Sequence, residues 1–179
     1  MIDLGQRYET LLLESPADGV VQVTLNRPER LNAMTVGMFD ELESVARAIS
    51  DDRDIRVVII TGAGKAFCAG YDLDDAEELA SLSALGMLDR QERAARAVSA
   101  LRALPVPVIA AVNGPSAGGG LSLALVADIR LGSPAAKFNA AFVRIGLSAG
   151  DLGASWMLPR LIGPSAAAEI GRASCRERV

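Results

Sequence analysis

Val57-Val58-Ile59-Ile60-Thr61-Gly62-Ala63-Gly64-Lys65-Ala66-Phe67-Cys68-Ala69-Gly70-Tyr71-Asp72-Leu73 is the stretch that decides how this 179-residue chain folds. Its first residues are a continuous apolar, β-branched run, the pattern of a strand buried on both faces of a parallel sheet. Gly62-Ala63-Gly64 breaks the run. From Asp74 to Leu104 the chain is rich in Ala, Leu, Glu and Arg and reads as helical for most of its length, interrupted near Gly86 and stopped by Pro105 and Pro107.

The neighbouring segments repeat the scheme. Val20 to Leu25 is β-branched and alternating, and Arg27-Pro28 ends it because proline cannot donate to a ladder. After Thr35, a suitable N-cap, Met38, Phe39, Leu42, Val45, Ala46 and Ile49 recur at helical spacing. Val108 to Val112 is a second buried strand, Asn113-Gly114-Pro115 turns the chain, and Gly118-Gly119-Gly120 opens an apolar helix through Ala127. A short strand from Asp128 to Leu131 follows. Strands alternating with helices in this way define an α/β fold built from βαβ units.

Composition narrows the chemistry. The chain is 50% hydrophobic and 22% charged, with length for one domain and a real core. Apolar runs such as Val106 to Val112 are far short of the roughly 18 to 20 residues that cross a bilayer, and its N-terminus lacks a leader pattern, so no membrane partner and a cytoplasmic location are expected. There is no histidine, and Cys68 and Cys175 are isolated. Zinc sites, haem ligation and Ser-His or Cys-His pairs are thereby excluded, and no metal or redox cofactor is implied. A net charge of −4 without a basic, aromatic-studded stripe argues against a nucleic-acid partner.

The two glycine-rich segments after strands fail as nucleotide motifs. Ile59 stands where a P-loop has its first glycine, Ala66 replaces the magnesium-binding hydroxyl, and Phe67 stands where a dinucleotide fingerprint needs its last glycine. Two readings stay open: plain turns, or loops that set bare backbone N–H groups against one ligand oxygen. Gly119, at the start of an apolar helix, meets the second requirement. Cys68 reads as a small packed residue rather than a nucleophile, since no neighbouring cation would make a thiolate.

Leu25-Asn26-Arg27-Pro28-Glu29-Arg30-Leu31-Asn32-Ala33-Met34, Gly64-Lys65-Ala66-Phe67-Cys68-Ala69-Gly70-Tyr71-Asp72-Leu73 and Ala111-Val112-Asn113-Gly114-Pro115-Ser116-Ala117-Gly118-Gly119-Gly120 resemble, in order and spacing, three successive signatures of the crotonase (enoyl-CoA hydratase/isomerase) superfamily. With Leu158-Pro159-Arg160-Leu161-Ile162-Gly163 the resemblance covers roughly residues 10 to 170. It implies a repeated ββα spiral core, here without the C-terminal helices, and trimers or dimers of trimers for the whole protein. It also implies an acyl-CoA thioester ligand, its thioester oxygen held by the backbone amides of Tyr71 and Gly119. Two amides aimed at an oxygen that gains charge favour the transition state, and one such donor contributes about 3 to 4 kcal/mol. Chain at Arg30, Leu31, Ala69, Tyr71, Asp72 and Leu73 would line the CoA and acyl path. Arg30 is equally readable as a solvated loop charge, and Asp72 as a residue that fixes the loop.

The departures from the family pattern carry as much information. Hydratases of the family place two glutamates where this chain has Ser122 and Phe142, and neither side chain is a general base near neutral pH. Asp151, nine residues before Arg160, resembles the placement of a catalytic aspartate in dienoyl-CoA isomerase-like and dehalogenase-like members, although the Gly146 to Gly150 loop is one residue longer here. Capping a helix is its other reading. Asp128 reads as structural, and Asp74 and Asp75 as negative charge at a helix start. Three activities fit: an isomerase or hydratase-like enzyme with Asp151 as acid/base, an acyl-CoA binder with little turnover, or a hydrolase in which Asp151 attacks. Gly171 to Val179 is expected to be foreign to the 1–170 core. It lacks an apolar period, and back-translated as GGA AGA GCG TCG TGT AGG GAA AGA GTG it reads as the reverse complement of a common sequencing-library adapter.

Overall fold

In chain order the computed structural model holds β1 (Leu11–Ala17), β2 (Val20–Leu25), α1 (Val36–Asp51), β3 (Val57–Gly62), α2 (Leu73–Leu79), α3 (Ala84–Arg102), β4 (Val108–Val112), β5 (Pro115–Ala117), α4 (Gly119–Val126), β6 (Ile129–Gly132), β7 (Lys137–Asn139), α5 (Ala154–Ile162) and α6 (Pro164–Arg176). It describes residues 7–79, 81–144 and 151–176, with the side chains of 79, 143, 144, 151 and 171–176 left out.

β1 and β2 form a hairpin around Asp18-Gly19, where Gly19 takes φ +71°, the left-handed geometry of a tight hairpin turn. β2, β3, β4 and β6 then line up in parallel, with Val20 opposite Val57, Val58 opposite Val108 and Ile109 opposite Ile129. After each of the first three parallel strands the chain contributes a second, shorter extended piece before its helix. Met34 bridges Tyr71, Cys68 bridges Ser116, and β5 pairs with β7. Strand, short strand and helix therefore repeat, which is the ββα spiral.

The strand reading needs one correction. β3 and β4 alternate between buried and half-buried residues, so only one face is sealed. Val58, Ile60, Val108, Ala110 and Val112 belong to the core, together with Phe39, Leu42, Val45 and Ile49 of α1 and Ala97 and Leu101 of α3. The other face pairs Ile59 with Gln22 and Ile109 with the exposed Ile129. A β-branched run fits a strand covered on one side as well as on two.

Thr35 caps α1 as expected, accepting from the Met38 N–H at 3.2 Å. The helical stretch 74–104 breaks elsewhere than expected. Gly86 lies inside α3, and the interruption precedes Ser83, whose Oγ accepts from the Gly86 N–H at 3.2 Å. The cap sets the boundary, because a side-chain acceptor satisfies an amide that a glycine merely leaves bare. Among the described residues no helix is long and apolar enough to cross a membrane.

Candidate active site

Two asparagines build the frame. Asn32 is fully buried at φ +57°. Its Oδ1 accepts from the Arg27 N–H (2.9 Å), and its Nδ2 donates to the carbonyls of Ala63 (2.9 Å), Ala66 (2.9 Å) and Phe67 (3.3 Å). Asn113 grips the same loop from the next strand: its Oδ1 accepts from the Gly62 N–H (3.1 Å) and its Nδ2 donates to the Gly64 (3.0 Å) and Ala66 (3.2 Å) carbonyls. Buried polar groups persist only when hydrogen-bonded, so these contacts leave the 62–67 loop little freedom.

The chain from Phe67 to Asp72 is laced between two neighbours. Ala69 N–H donates to the Leu31 carbonyl (3.0 Å), Met34 N–H to the Gly70 carbonyl (2.7 Å) and Asp72 N–H to the Met34 carbonyl (2.9 Å). On the other side Ala117 N–H donates to the Cys68 carbonyl (3.0 Å). Because the residues flanking Tyr71 both bond to Met34, the Tyr71 N–H points the opposite way. Gly119 waits there. It is the first residue of α4, whose opening N–H groups have no partner within the helix, and Gly118, at φ +51°, precedes it.

Absent side chains make the approach possible. A Cβ on Gly70 (φ +106°) would stand 2.8 Å from the Ala117 carbonyl oxygen and 3.4 Å from the Gly119 nitrogen. One on Gly119 would stand 3.8 Å from the Tyr71 nitrogen. Among the described residues neither N–H donates to a backbone carbonyl. Two unpaired donors thus share a recess at the positive end of a helix dipole, a setting that suits an oxygen bearing negative charge.

The recess opens into a cavity of about 730 Å³. Arg30, Leu31, Ala69, Tyr71, Asp72, Leu73 and Gly119 all line it, so these seven residues named from the sequence share one space. α3 adds Met87, Arg90, Gln91 and Ala94, and Phe142 and Leu152 also form part of its wall. Asp151 opens a single 3-10 turn, Asp151–Gly153, ahead of α5; its side chain lies outside the described residues. The N-cap of α5 is Gly153, in the left-handed region, rather than Asp151. The Gly146 to Gly150 loop and the Cys175 side chain also lie outside them.

The remaining groups sort by environment. Asp72 is buried, accepting from Arg27 Nη1 (2.7 Å), Arg30 Nη2 (3.3 Å) and the Asp74 N–H (3.0 Å). Burial opposes its charge, but the Arg27, Asp74 and Arg30 donors outweigh it and hold the carboxyl below the usual range. Arg30 also pairs with Asp74, so it is a tethered residue rather than a free loop charge. Cys68 is fully buried and its thiol is pushed up to about 12 by desolvation, which makes it inert. Ser122 and Phe142 are both buried, and the Ser122 hydroxyl has no hydrogen-bond partner among the described residues. Asp128 accepts from the Val108 N–H at 2.9 Å and so fixes the start of β4. The sequence reading missed Asn32 and Asn113 as the loop's clamps and Arg90 as a cavity residue.

Asp72 gives a pH-dependent test. A carboxyl with a lowered folded pKa adds stability above the unfolded carboxylate's range and loses it as pH falls through the folded value. Asp72→Asn is therefore expected to melt several degrees below wild type at neutral pH, with the gap closing in acid. Melting curves across that range check it, and a gap independent of pH would remove the charge from the account.

The chain matches the enoyl-CoA hydratase/isomerase family model over residues 16–176. It is 44% identical over 164 residues to a probable enoyl-CoA hydratase of Mycobacterium bovis, covering 89% of this chain and 58% of the relative. To the 1,2-epoxyphenylacetyl-CoA isomerase of Escherichia coli it is 42% identical over 153 residues, covering 85% and 58%. A crystal structure of an enoyl-CoA hydratase/carnithine racemase from Magnetospirillum magneticum superposes with a TM-score of 0.84 at 37% identity, covering 92% of this chain and 61% of that one. The chain belongs to the enoyl-CoA hydratase/isomerase family. It spans somewhat under two thirds of the length of these relatives.

Proposed function

We propose that the protein is an acyl-CoA enzyme that stabilises a thioester enolate between the Tyr71 and Gly119 amides, and that it works as an isomerase rather than a two-glutamate hydratase. The observation that carries this reading is the pair of N–H groups, unpaired among the described residues, in one glycine-lined recess. Such donors act on charge that develops in the transition state. The preference for isomerisation rests on Ser122 and Phe142, which leave no glutamate to hold and activate a water. The 1,2-epoxyphenylacetyl-CoA isomerase among the relatives accords with it. No metal or redox group is needed for this chemistry. Exposed Leu12, Ile129, Leu131 and Phe138 offer apolar surface for the trimers the family resemblance implies.

Solvent exchange tests the reading. The full-length protein in deuterated buffer is expected to wash deuterium into the carbon next to the thioester of a saturated acyl-CoA. Binding without exchange would identify an acyl-CoA binder instead, and hydrolysis to free CoA would identify a thioesterase.

A further inference from the structure

The acyl-CoA reading uses the main chain of Tyr71 and leaves its side chain without a task, although Tyr71 lines the cavity together with Arg90 of α3. The ring packs against Phe39, centroid to centroid 5.7 Å. The Arg90 guanidinium stands beside the hydroxyl. Arg90 is itself fixed, donating to the Asp75 carbonyl (3.2 Å) and Glu78 Oε2 (2.7 Å). A guanidinium has donors only, so the phenol oxygen can accept from Arg90 but cannot give its proton to it. Among the described residues the hydroxyl donates no side-chain hydrogen bond, and both Tyr71 and Arg90 line the cavity.

We propose that the Tyr71 hydroxyl selects substrates by donating a hydrogen bond to a neutral oxygen function on the distal acyl chain. This rests on the acyl-CoA reading. The length of the tyrosine side chain carries its hydroxyl well away from its own amide, so the oxygen it meets is not the thioester's. Elsewhere in the cavity wall Leu31, Leu73, Met87, Ala94, Phe142 and Leu152 are apolar, and a few polar groups in such a cavity set orientation and specificity. Burial outweighs the pull of Arg90 and keeps the phenol protonated, hence a donor, at neutral pH. A carboxylate is disfavoured as the partner. Arg90 is paired with Glu78 and Arg93 with Asp40, and with Asp75 nearby the acidic groups outnumber the two arginines.

Three ligands of equal carbon count test this on the full-length protein: hexanoyl-CoA, 5-oxohexanoyl-CoA and the acid-terminated adipoyl-CoA. Wild type is expected to bind the ketone at least as tightly as the hydrocarbon and the acid most weakly. In Tyr71→Phe, which keeps the ring on Phe39, the ratio of ketone to hydrocarbon affinity is expected to fall by about tenfold, the worth of one good hydrogen bond. An unchanged ratio overturns the proposal. So does a wild type that prefers hexanoyl-CoA tenfold, whether or not the variant folds, and so does one that prefers adipoyl-CoA. A wild type that binds none of the three overturns the acyl-CoA reading as well, which separates the two failures.

Discussion

Gly119→Ala in the full-length protein is expected to lower kcat/KM by about 10²–10³, the loss that follows removal of one oxyanion donor, while shifting the melting temperature little. The added methyl would lie 3.8 Å from the Tyr71 nitrogen, in the space an oxygen must enter to reach both amides. Its close contacts are 2.5 Å to Met34 Cε and 3.0 Å to Leu152 Cδ1, the ends of flexible side chains that can swing aside. Alanine also suits the first turn of a helix better than glycine. One residue on, the balance reverses. A Cβ on Gly120 would meet the Cys68 carbonyl oxygen at 2.2 Å, and backbone cannot swing aside. Gly120→Ala is therefore the contrasting variant, losing stability together with activity. Steady-state kinetics and thermal melts of both variants check the pair. A Gly119→Ala rate within threefold of wild type would mean that the recess does not hold the reacting oxygen.

The physics that makes Gly119 tolerant also explains what could be read in advance. β2, β3, β4 and α1 follow from local period and composition, since each buries a face its own residues define, and α4 follows from its apolar composition, being buried all round. β5 and β7 are three residues each and have no period to read; they exist because neighbouring backbone is there to pair with. β1 is signalled only by the Asp18-Gly19 turn that follows it and the alternating strand beyond. In the site, the glycines were legible because close backbone approach demands them. Asn32 and Asn113 were not, because an asparagine in a loop looks the same whether it turns the chain or clamps a distant loop. Arg90 sits in the middle of a charged helix, and nothing local distinguishes a cavity arginine from a solvated one.

Asp151→Asn in the full-length protein is expected to reduce turnover by about 10² to 10⁴, the usual contribution of a general base, with acyl-CoA affinity changed by less than about twofold, because this swap keeps the side chain's size and removes only its charge. Enolate formation needs a group that takes a proton near neutral pH. Cys68 does not supply one, its thiol being buried and pushed up to about 12, and the Tyr71 phenol is raised as well. Ser122 is a buried hydroxyl without a partner that could activate it among the described residues, and Phe142 has no proton to exchange. Asp72 is a carboxylate at the cavity, but its oxygens are engaged by two arginines and a backbone amide, which lowers its basicity. Asp151 directly precedes Leu152, a cavity residue whose Cδ1 lies 3.0 Å from where a Gly119 Cβ would be. A purely structural role makes the opposite forecast, since asparagine matches aspartate in size and Gly153, not Asp151, is the N-cap of α5. Comparing α-proton exchange of hexanoyl-CoA by wild type and Asp151→Asn at equal saturation decides between them. Equal rates would take Asp151 out of the mechanism, and a loss confined to the variant would make this an aspartate-dependent enolate enzyme.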